Sequence, residues 1–148
     1  MYPIIIDIKK FPVLIIGGGR IATRKTKSLV EAGAVPTILA TEFTDEIKVL
    51  AEHGKVLLKE RAFQRGDTRG FQFVFICTND ENTNQQILEE TTPQQLVNDT
   101  TKQSRSNFFN MAVIRESDFE IAITTKGKSP TEAKQLKEKI KDFLKSAT

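Results

Sequence analysis

Short apolar runs alternate with amphipathic stretches along the first two thirds of the chain. Five runs have the length and content of buried strands, and they lie at residues 13–16, 35–40, 55–59, 71–77 and 94–98. Apolar residues at helical spacing predict three helices between these runs, at residues 20–32, 43–51 and 82–90. Strands that alternate with helices are typical of a parallel sheet, so the pattern predicts an α/β, Rossmann-like fold.

The pattern changes after Asp99. Residues 100–107 contain no apolar side chain and predict a loop, and the strand-like runs at 108–114 and 119–125 predict an antiparallel hairpin outside the parallel sheet. Ser129-Pro-Thr-Glu132 is typical of a helix start, with a capping box and a proline at the first helical position. One helical face of the segment that follows is apolar, and it carries Ala133, Leu136, Ile140, Phe143 and Leu144.

These patterns divide the chain into two regions. We expect a Rossmann-like nucleotide-binding domain over residues 1–107 and a small C-terminal hairpin-plus-helix region over residues 108–148. A two-stranded hairpin with one helix buries too little apolar surface to be stable by itself. We therefore expect the second region to pack against another copy of the chain and to form a homodimer.

Composition restricts the class of protein. The chain has 148 residues, of which 39% are hydrophobic and 28% charged, and no apolar run approaches the roughly 20 residues that span a bilayer. Asp7 closely follows the first apolar run and no basic segment precedes it, so we expect neither a signal peptide nor a membrane anchor. A single cysteine, Cys77, excludes an intramolecular disulfide and is compatible with a reducing cytosol. We expect a cytoplasmic protein with no nucleic-acid partner and, because His53 is the only histidine, no histidine-based metal site.

Three glycines follow the first predicted strand directly. The spacing Gly17-x-Gly19-x-x-Ala22 is the alanine-ended form of the dinucleotide fingerprint, placed between a strand and a helix. Glycines at such a turn let the backbone approach a pyrophosphate at the helix N-terminus. The stretch therefore predicts a nucleotide site.

Glu42 lies just after the second predicted strand, 23 residues beyond Gly19. An acidic residue at about this distance accepts hydrogen bonds from the adenosine ribose and repels a 2′-phosphate, which would favour NAD over NADP. Glu42 can equally be a first-turn acid of the helix at 43–51, stabilised by the helix dipole. Both interpretations stay open at this stage.

Several segments coincide, in order, with one known family. They are Val13-Leu-Ile-Ile-Gly-Gly-Gly19, Arg24-Lys25, Ala32-Gly33-Ala34, Thr78-Asn79-Asp80 with Asn84, Val97-Asn98, Phe108, Ala112 and Ile121-Ala-Ile-Thr-Thr-Lys-Gly-Lys-Ser-Pro130. On these segments the whole chain resembles precorrin-2 dehydrogenase, the amino-terminal module of siroheme synthase and its stand-alone bacterial relatives. The glycine motif is weakly specific, whereas the segment from Lys126 to Pro130 is much more so.

The resemblance implies NAD-dependent oxidation of precorrin-2 to sirohydrochlorin by a homodimer. It implies that the cofactor contacts are Gly17, Gly18, Gly19, Arg20, Ile21, Thr41, Glu42 and Thr78. Precorrin-2 carries many carboxylates, which cationic side chains would bind by charge-assisted hydrogen bonds. The candidates for this role are Lys102, Arg105, Lys126 and Lys128, although each of them can also be a solvated surface cation.

The sequence departs from the family at the general acid/base. Relatives usually have an aspartate three residues after the asparagine of the Val-Asn motif, and this position is Thr101 here. Threonine cannot accept a proton near neutral pH, so the catalytic candidate is the nearest carboxylate, Asp99. The other interpretations are that the enzyme works without this base, or that its activity is weak. Asp99 can also serve in turn formation and capping.

Two further features, the residue at position 125 and the length of the chain, are compared with the family. Thr125 matches a serine that is phosphorylated in some relatives. Many relatives also continue past the last predicted helix into a helical segment that covers the tetrapyrrole, whereas the sequence here stops at Thr148. We therefore do not expect the bifunctional form that inserts iron as well. The alternatives to a dehydrogenase are a non-catalytic dinucleotide- or tetrapyrrole-binding protein and a sirohydrochlorin ferrochelatase.

Overall fold

The computed structural model describes residues 1–146 and divides into two compact units. The sheet unit comprises Pro3–Phe108, and the hairpin unit comprises the chain from Phe109 onward together with Met1–Tyr2. The last two residues of the predicted region 108–148 lie outside the described residues. The assignment of separate roles to the two regions stays a prediction.

The sheet unit contains five parallel strands. They are β1 (Val13–Ile16), β2 (Thr37–Ala40), β3 (Leu57–Glu60), β4 (Phe73–Ile76) and β5 (Leu96–Asp99), and their order in the sheet is β3-β2-β1-β4-β5. Every neighbouring pair is parallel. The predicted Rossmann-like parallel sheet is confirmed.

Three helices belong to the sheet unit, and each begins where its sequence supplies a suitable cap. They are α1 (Arg20–Glu31), α2 (Asp45–Glu52) and α3 (Glu81–Glu90). The side chains of Thr44 and Asp80 accept hydrogen bonds from the first-turn amides of α2 and α3, respectively. Gly33 follows α1 with φ of +85°, a left-handed conformation that ends helices and favours glycine.

The alternating side chains of β1 point into two separate cores. Val13 and Ile15 pack with residues of α1 and α2, including Ala22 and Ile47. Leu14 and Ile16 pack on the opposite face with a smaller set that includes Ile87 of α3. Because a strand buried on both faces needs no polar residue, β1 is apolar at all four positions.

The structure also differs from the sequence pattern at strand ends. β2 begins at Thr37 and not at Val35, whose side chain is 57% exposed and precedes a proline. β5 ends one residue later than predicted, so that Asp99 lies in the sheet. Phe108 packs edge-on against Phe73 and Phe75, with ring centroids 5.4 and 5.3 Å apart, and the hairpin strand begins only at Ala112.

The hairpin unit has the elements that the sequence predicts. Strands β6 (Ala112–Arg115) and β7 (Glu120–Ile123) pair antiparallel, and α4 (Pro130–Ser146) packs on both. The Glu132 amide donates to Ser129 Oγ at 3.1 Å, which is one half of the predicted capping box. The Ser129 amide donates to the Thr125 hydroxyl and not to the Glu132 side chain, so the reciprocal bond is replaced. The buried residues of its core are Ile114, Ile123 and Ala133.

Candidate functional site

The carboxyl ends of β1, β2 and β4 lie side by side at one edge of the sheet. β1 lies between β2 and β4, and the chain leaves the carboxyl end of β1 through the glycine turn, Gly17 to Gly19. The Gly17 amide donates to Leu39 O at 2.8 Å, and the Cys77 amide donates to Ile16 O at 2.8 Å. In open parallel sheets, ligands bind at this kind of switch point, outside the carboxyl ends of the strands.

The three glycines of the turn have different surroundings. A Cβ at Gly17, where φ is +118°, would lie 2.6 Å from Cys77 O, and a Cβ at Gly18 would lie 1.9 Å from Glu42 O. A Cβ at Gly19 would meet nothing within 4 Å. Two of the glycines are therefore required by backbone packing, whereas Gly19 borders open space.

The N-terminus of α1 faces that open space. Gly19 is the N-cap, and the first amide to donate within the helix is that of Thr23, to Gly19 O at 2.9 Å. The earlier amides of a helix have no intrahelical partner and carry partial positive charge from the helix dipole. Arg20 and Ile21 of this first turn are exposed. This arrangement fits the pyrophosphate of a dinucleotide.

Glu42 lies next to the glycine turn. The loop of Thr41 to Thr44 packs on it, since Gly18 O accepts from the Thr44 amide at 3.1 Å. Thr41 and Glu42 are both exposed. The helix α2 begins at Asp45 and not at residue 43, and its first-turn acids are Asp45 and Glu46. Glu42 is therefore not a first-turn acid of this helix. The ribose role of Glu42 stays a prediction.

Thr78, beyond the end of β4, is fixed by hydrogen bonds. Its hydroxyl accepts from the Asp80 amide at 2.9 Å and donates to Asn84 Oδ1 at 3.1 Å. Asn84 Nδ2 donates back to Thr78 O at 3.1 Å, and the Asn84 side chain is buried in α3. Asn84 therefore holds the β4–α3 turn in place.

Asp99 organises the loop that follows β5. Its Oδ1 accepts from the Thr101 amide at 2.8 Å, from the Thr101 hydroxyl at 2.6 Å and from the Lys102 amide at 3.2 Å. Its side chain is 0% exposed. Asp99 could meet a bound substrate only if this loop moved.

Arg105 lies between two carboxylates. Its Nη1 is 3.7 Å from Asp99 Oδ2, and its Nη2 donates to Glu81. The hydrogen bond between these two side chains lowers the pKa of Glu81 and raises the pKa of Arg105. Sequence reasoning treated Arg105 as a substrate cation and missed both partners, because Glu81 belongs to α3 and lies 24 residues away.

Two partly buried groups lie at this edge or beside it, Cys77 directly after β4 and Lys25 in α1. Burial raises the pKa of the Cys77 thiol to about 11, so the thiol is protonated at neutral pH and is a poor nucleophile. Lys25 Nζ lies 5.7 Å from the Phe75 ring centroid, and burial lowers the pKa of Lys25. In the sequence, Lys25 stands out only as part of the Arg24-Lys25 segment of the family, and nothing there indicates its contact with Phe75.

The other two predicted substrate cations belong to the hairpin unit. Lys126 and Lys128 lie between β7 and α4, and Lys126 has φ of +56°. The Thr125 hydroxyl donates to Ser129 O and accepts from the Ser129 amide, both at 2.9 Å. Lys102 and Arg105 belong to the sheet unit, so the four predicted cations divide between the two units.

Residues 1–146 contain neither a metal-binding cluster nor a membrane-spanning helix. No group of three or more His, Cys, Asp or Glu side chains is arranged to hold a metal ion. No helix in this part of the chain is long and apolar enough to cross a bilayer.

Comparisons with known proteins agree with this geometry. A family model described as putative NAD(P)-binding matches residues 4–112. The siroheme synthase of Actinobacillus pleuropneumoniae serotype 7 (strain AP76) is 33% identical over 143 residues, which are 96% of this chain and 29% of that protein. The siroheme synthase of Methylococcus capsulatus (strain Bath) is 31% identical, over 97% of this chain and 31% of that protein.

A solved structure is similar over a larger share of its own length. It is SirC, a precorrin-2 dehydrogenase, with a TM-score of 0.86 and 30% identity. The match covers 96% of this chain and 70% of that one. By contrast, the chain spans less than a third of each of the two siroheme synthases.

Proposed function

Since this chain belongs to the putative NAD(P)-binding family and to the family of the precorrin-2 dehydrogenase SirC, we propose that it oxidises precorrin-2 to sirohydrochlorin with NAD, in siroheme biosynthesis. In this reaction the tetrapyrrole loses a hydride and a proton, and bound NAD accepts the hydride. The observation that carries the substrate assignment is the similarity to SirC, and the glycine turn at the switch point of the sheet, with open space at Gly19, supports the NAD site.

The chain's own residues have separate tasks in this proposal. The first-turn amides of α1, beginning at Gly19 with Arg20 and Ile21, bind the pyrophosphate. The exposed side chains of Thr41 and Glu42 bind the adenosine ribose. A carboxylate at Glu42 also repels a 2′-phosphate, which makes NAD the preferred cofactor.

The proton that the substrate loses needs an acceptor. Asp99 is the proposed candidate, but its buried carboxylate would have to leave the Thr101 hydroxyl and both backbone amides first. Hydride transfer depends chiefly on how the reactants are positioned, so a reaction that releases the proton to water is also consistent with this site. Asp99→Asn and Thr101→Ala separate these routes: a protein base at Asp99 predicts a large loss of kcat only in the first variant. An equal, small effect of both variants would remove Asp99 from the chemistry.

Cations are proposed to bind the substrate's carboxylates. The candidates remain Lys102, Arg105, Lys126 and Lys128. Of the two in the sheet unit, Lys102 is the better supported, because Arg105 already interacts with Glu81 and Asp99. Single substitutions of Lys102 and Arg105 by glutamine should raise KM more for Lys102.

We also propose that the protein is a homodimer. The hairpin unit has a small core, and its hairpin and helix expose the large apolar side chains of Phe119 (47%), Leu136 (47%) and Phe143 (68%). Because each of these side chains is already partly buried, complete burial against another copy would contribute at most about 1.5–3 kcal/mol each. The cytoplasmic location stays a prediction.

A specific observation favours a second candidate function. Because Thr101 replaces the family's carboxylate and Asp99 is fully buried, the protein could bind NAD without turning precorrin-2 over. Purified protein mixed with precorrin-2 and NAD distinguishes the two functions by NADH formation. NAD binding without turnover above the uncatalysed rate would favour the binding protein. Iron-dependent formation of siroheme from added sirohydrochlorin, without NAD, would favour a ferrochelatase.

A further inference from the structure

Two threonine hydroxyls connect the N-termini of α1 and α2. Thr23 Oγ1 lies 2.9 Å from Gly19 O and 2.7 Å from Thr44 Oγ1, and the Ile47 amide lies 3.4 Å from Thr44 Oγ1. Thr23 is 4% exposed. The contact between the two hydroxyls crosses 21 residues of sequence, whereas the other two contacts are local to the start of each helix.

Only one direction of donation satisfies all of these contacts. The Ile47 amide can only donate and Gly19 O can only accept, so the Thr44 hydroxyl donates to Thr23 and the Thr23 hydroxyl donates to Gly19 O. A chain of hydrogen bonds with one direction is strengthened cooperatively. Loss of either hydroxyl therefore breaks the connection between its two ends.

The two ends of this chain of hydrogen bonds lie at the two elements of the proposed cofactor site. Gly19 caps α1, where the pyrophosphate would bind, and Thr44 closes the loop that carries Glu42. The same loop also contacts the turn through the bond from the Thr44 amide to Gly18 O, at 3.1 Å. The distance between the two binding elements thus depends on buried polar contacts.

We propose that Thr23 and Thr44 are positioning residues that hold the pyrophosphate-binding turn and the ribose-binding loop in register for the dinucleotide. This inference rests on the proposed NAD site and assigns to it two residues that do not touch the cofactor. A preorganised site loses less conformational freedom on binding, so the contribution of these residues is to cofactor affinity.

The test measures NAD affinity by calorimetry on the complete chain. Thr23→Val keeps the shape of the side chain and removes the hydroxyl, so we expect NAD to bind about tenfold more weakly. Thr23→Ser keeps the hydroxyl and should bind NAD as the unmodified protein does. Hydrogen exchange of the protein without NAD should become faster in Thr23→Val at residues 17–20 and 42–45 together.

Lys27→Gln is the matched control. Lys27 and Glu46 form an ion pair between the same two helices, but both side chains are at least half exposed. An exposed ion pair contributes little, so this variant should leave NAD affinity unchanged. The control separates the buried hydroxyl chain from any general connection of α1 to α2.

Thr44→Gly gives the same break from the other end. Glycine is tolerated at an N-cap at a cost of only a few tenths of a kcal/mol, so α2 should persist if Thr23→Val does not fold. NAD affinity equal to that of the unmodified protein in whichever of these variants folds would overturn the inference while leaving the NAD site in place. If the unmodified protein itself does not bind NAD, the proposed function fails instead.

Discussion

The glycine turn allows stability and cofactor binding to be separated by two neighbouring substitutions. In Gly18→Ala the new methyl group would lie 1.9 Å from Glu42 O and 3.0 Å from the Ala40 Cβ. Ala40 is the last residue of β2, and Glu42 lies in the loop that follows it. Because the contact with Glu42 is to a backbone oxygen, this loop must move. In Gly19→Ala the methyl group would enter open space.

The structure gives a different magnitude for each change. Overpacking at Gly18 costs about 1–3 kcal/mol, and displacement of the loop also weakens the Thr44–Gly18 hydrogen bond by about 1 kcal/mol. We therefore expect Gly18→Ala to lower the free energy of unfolding by about 2–4 kcal/mol. Alanine is a poorer N-cap than glycine, which puts the cost of Gly19→Ala near about 0.5 kcal/mol.

The assay combines urea unfolding, followed by circular dichroism, with calorimetric titration of NAD. Gly19→Ala should unfold at nearly the urea concentration of the unmodified protein but bind NAD at least about tenfold more weakly, because its methyl group occupies the pyrophosphate position. An unchanged stability in Gly18→Ala would refute the packing of the turn on Glu42. An unchanged NAD affinity in Gly19→Ala would refute the assignment of the open space to the pyrophosphate.

Four further predictions concern separate parts of the molecule. The hydrogen bonds from Arg61 lower the pKa of Asp67, so the stabilisation by the Asp67 carboxylate is present above the unfolded pKa of about 4 and is lost as the pH falls. Asp67→Asn should therefore lower the free energy of unfolding, measured in urea, by about 1 kcal/mol at neutral pH and by less at low pH. Cys77 should react with a maleimide only slowly in the folded protein and rapidly in urea, as followed by mass spectrometry. Glu42→Ala should weaken NAD binding more than NADP binding, and an equal effect on both would remove Glu42 from the ribose site. Phe143→Glu should convert a dimer into monomers in light scattering, whereas an unchanged mass would exclude this face from the interface.

The strands and helices could be predicted because their signals are local. The all-apolar run of β1 and the capping box before α4 each carry the information within a few residues. Strand ends were less accurate, since the exposure of Val35 and the position of Asp99 depend on neighbouring strands. Periodicity contains no information about those neighbours.

The site was predictable in outline but not in its internal contacts. The spacing of the glycines indicates a turn for a dinucleotide, but it does not indicate that Gly17 and Gly18 serve backbone packing while Gly19 borders open space. Nor does the sequence near Asp99 and Arg105 indicate that they interact, or that Glu81 joins them. These relations depend on the order of β2, β1, β4 and β5 in the sheet.

The most direct test of the proposed function is the stoichiometry of one reaction. Purified protein, precorrin-2 and NAD are mixed without metal ions, and NADH and sirohydrochlorin are quantified over the same time course. The proposed function predicts that both products form in equal amounts, faster than without protein, and that formation depends on an intact Gly19. Sirohydrochlorin formation that does not depend on NAD, or no turnover while NAD remains bound, would contradict it.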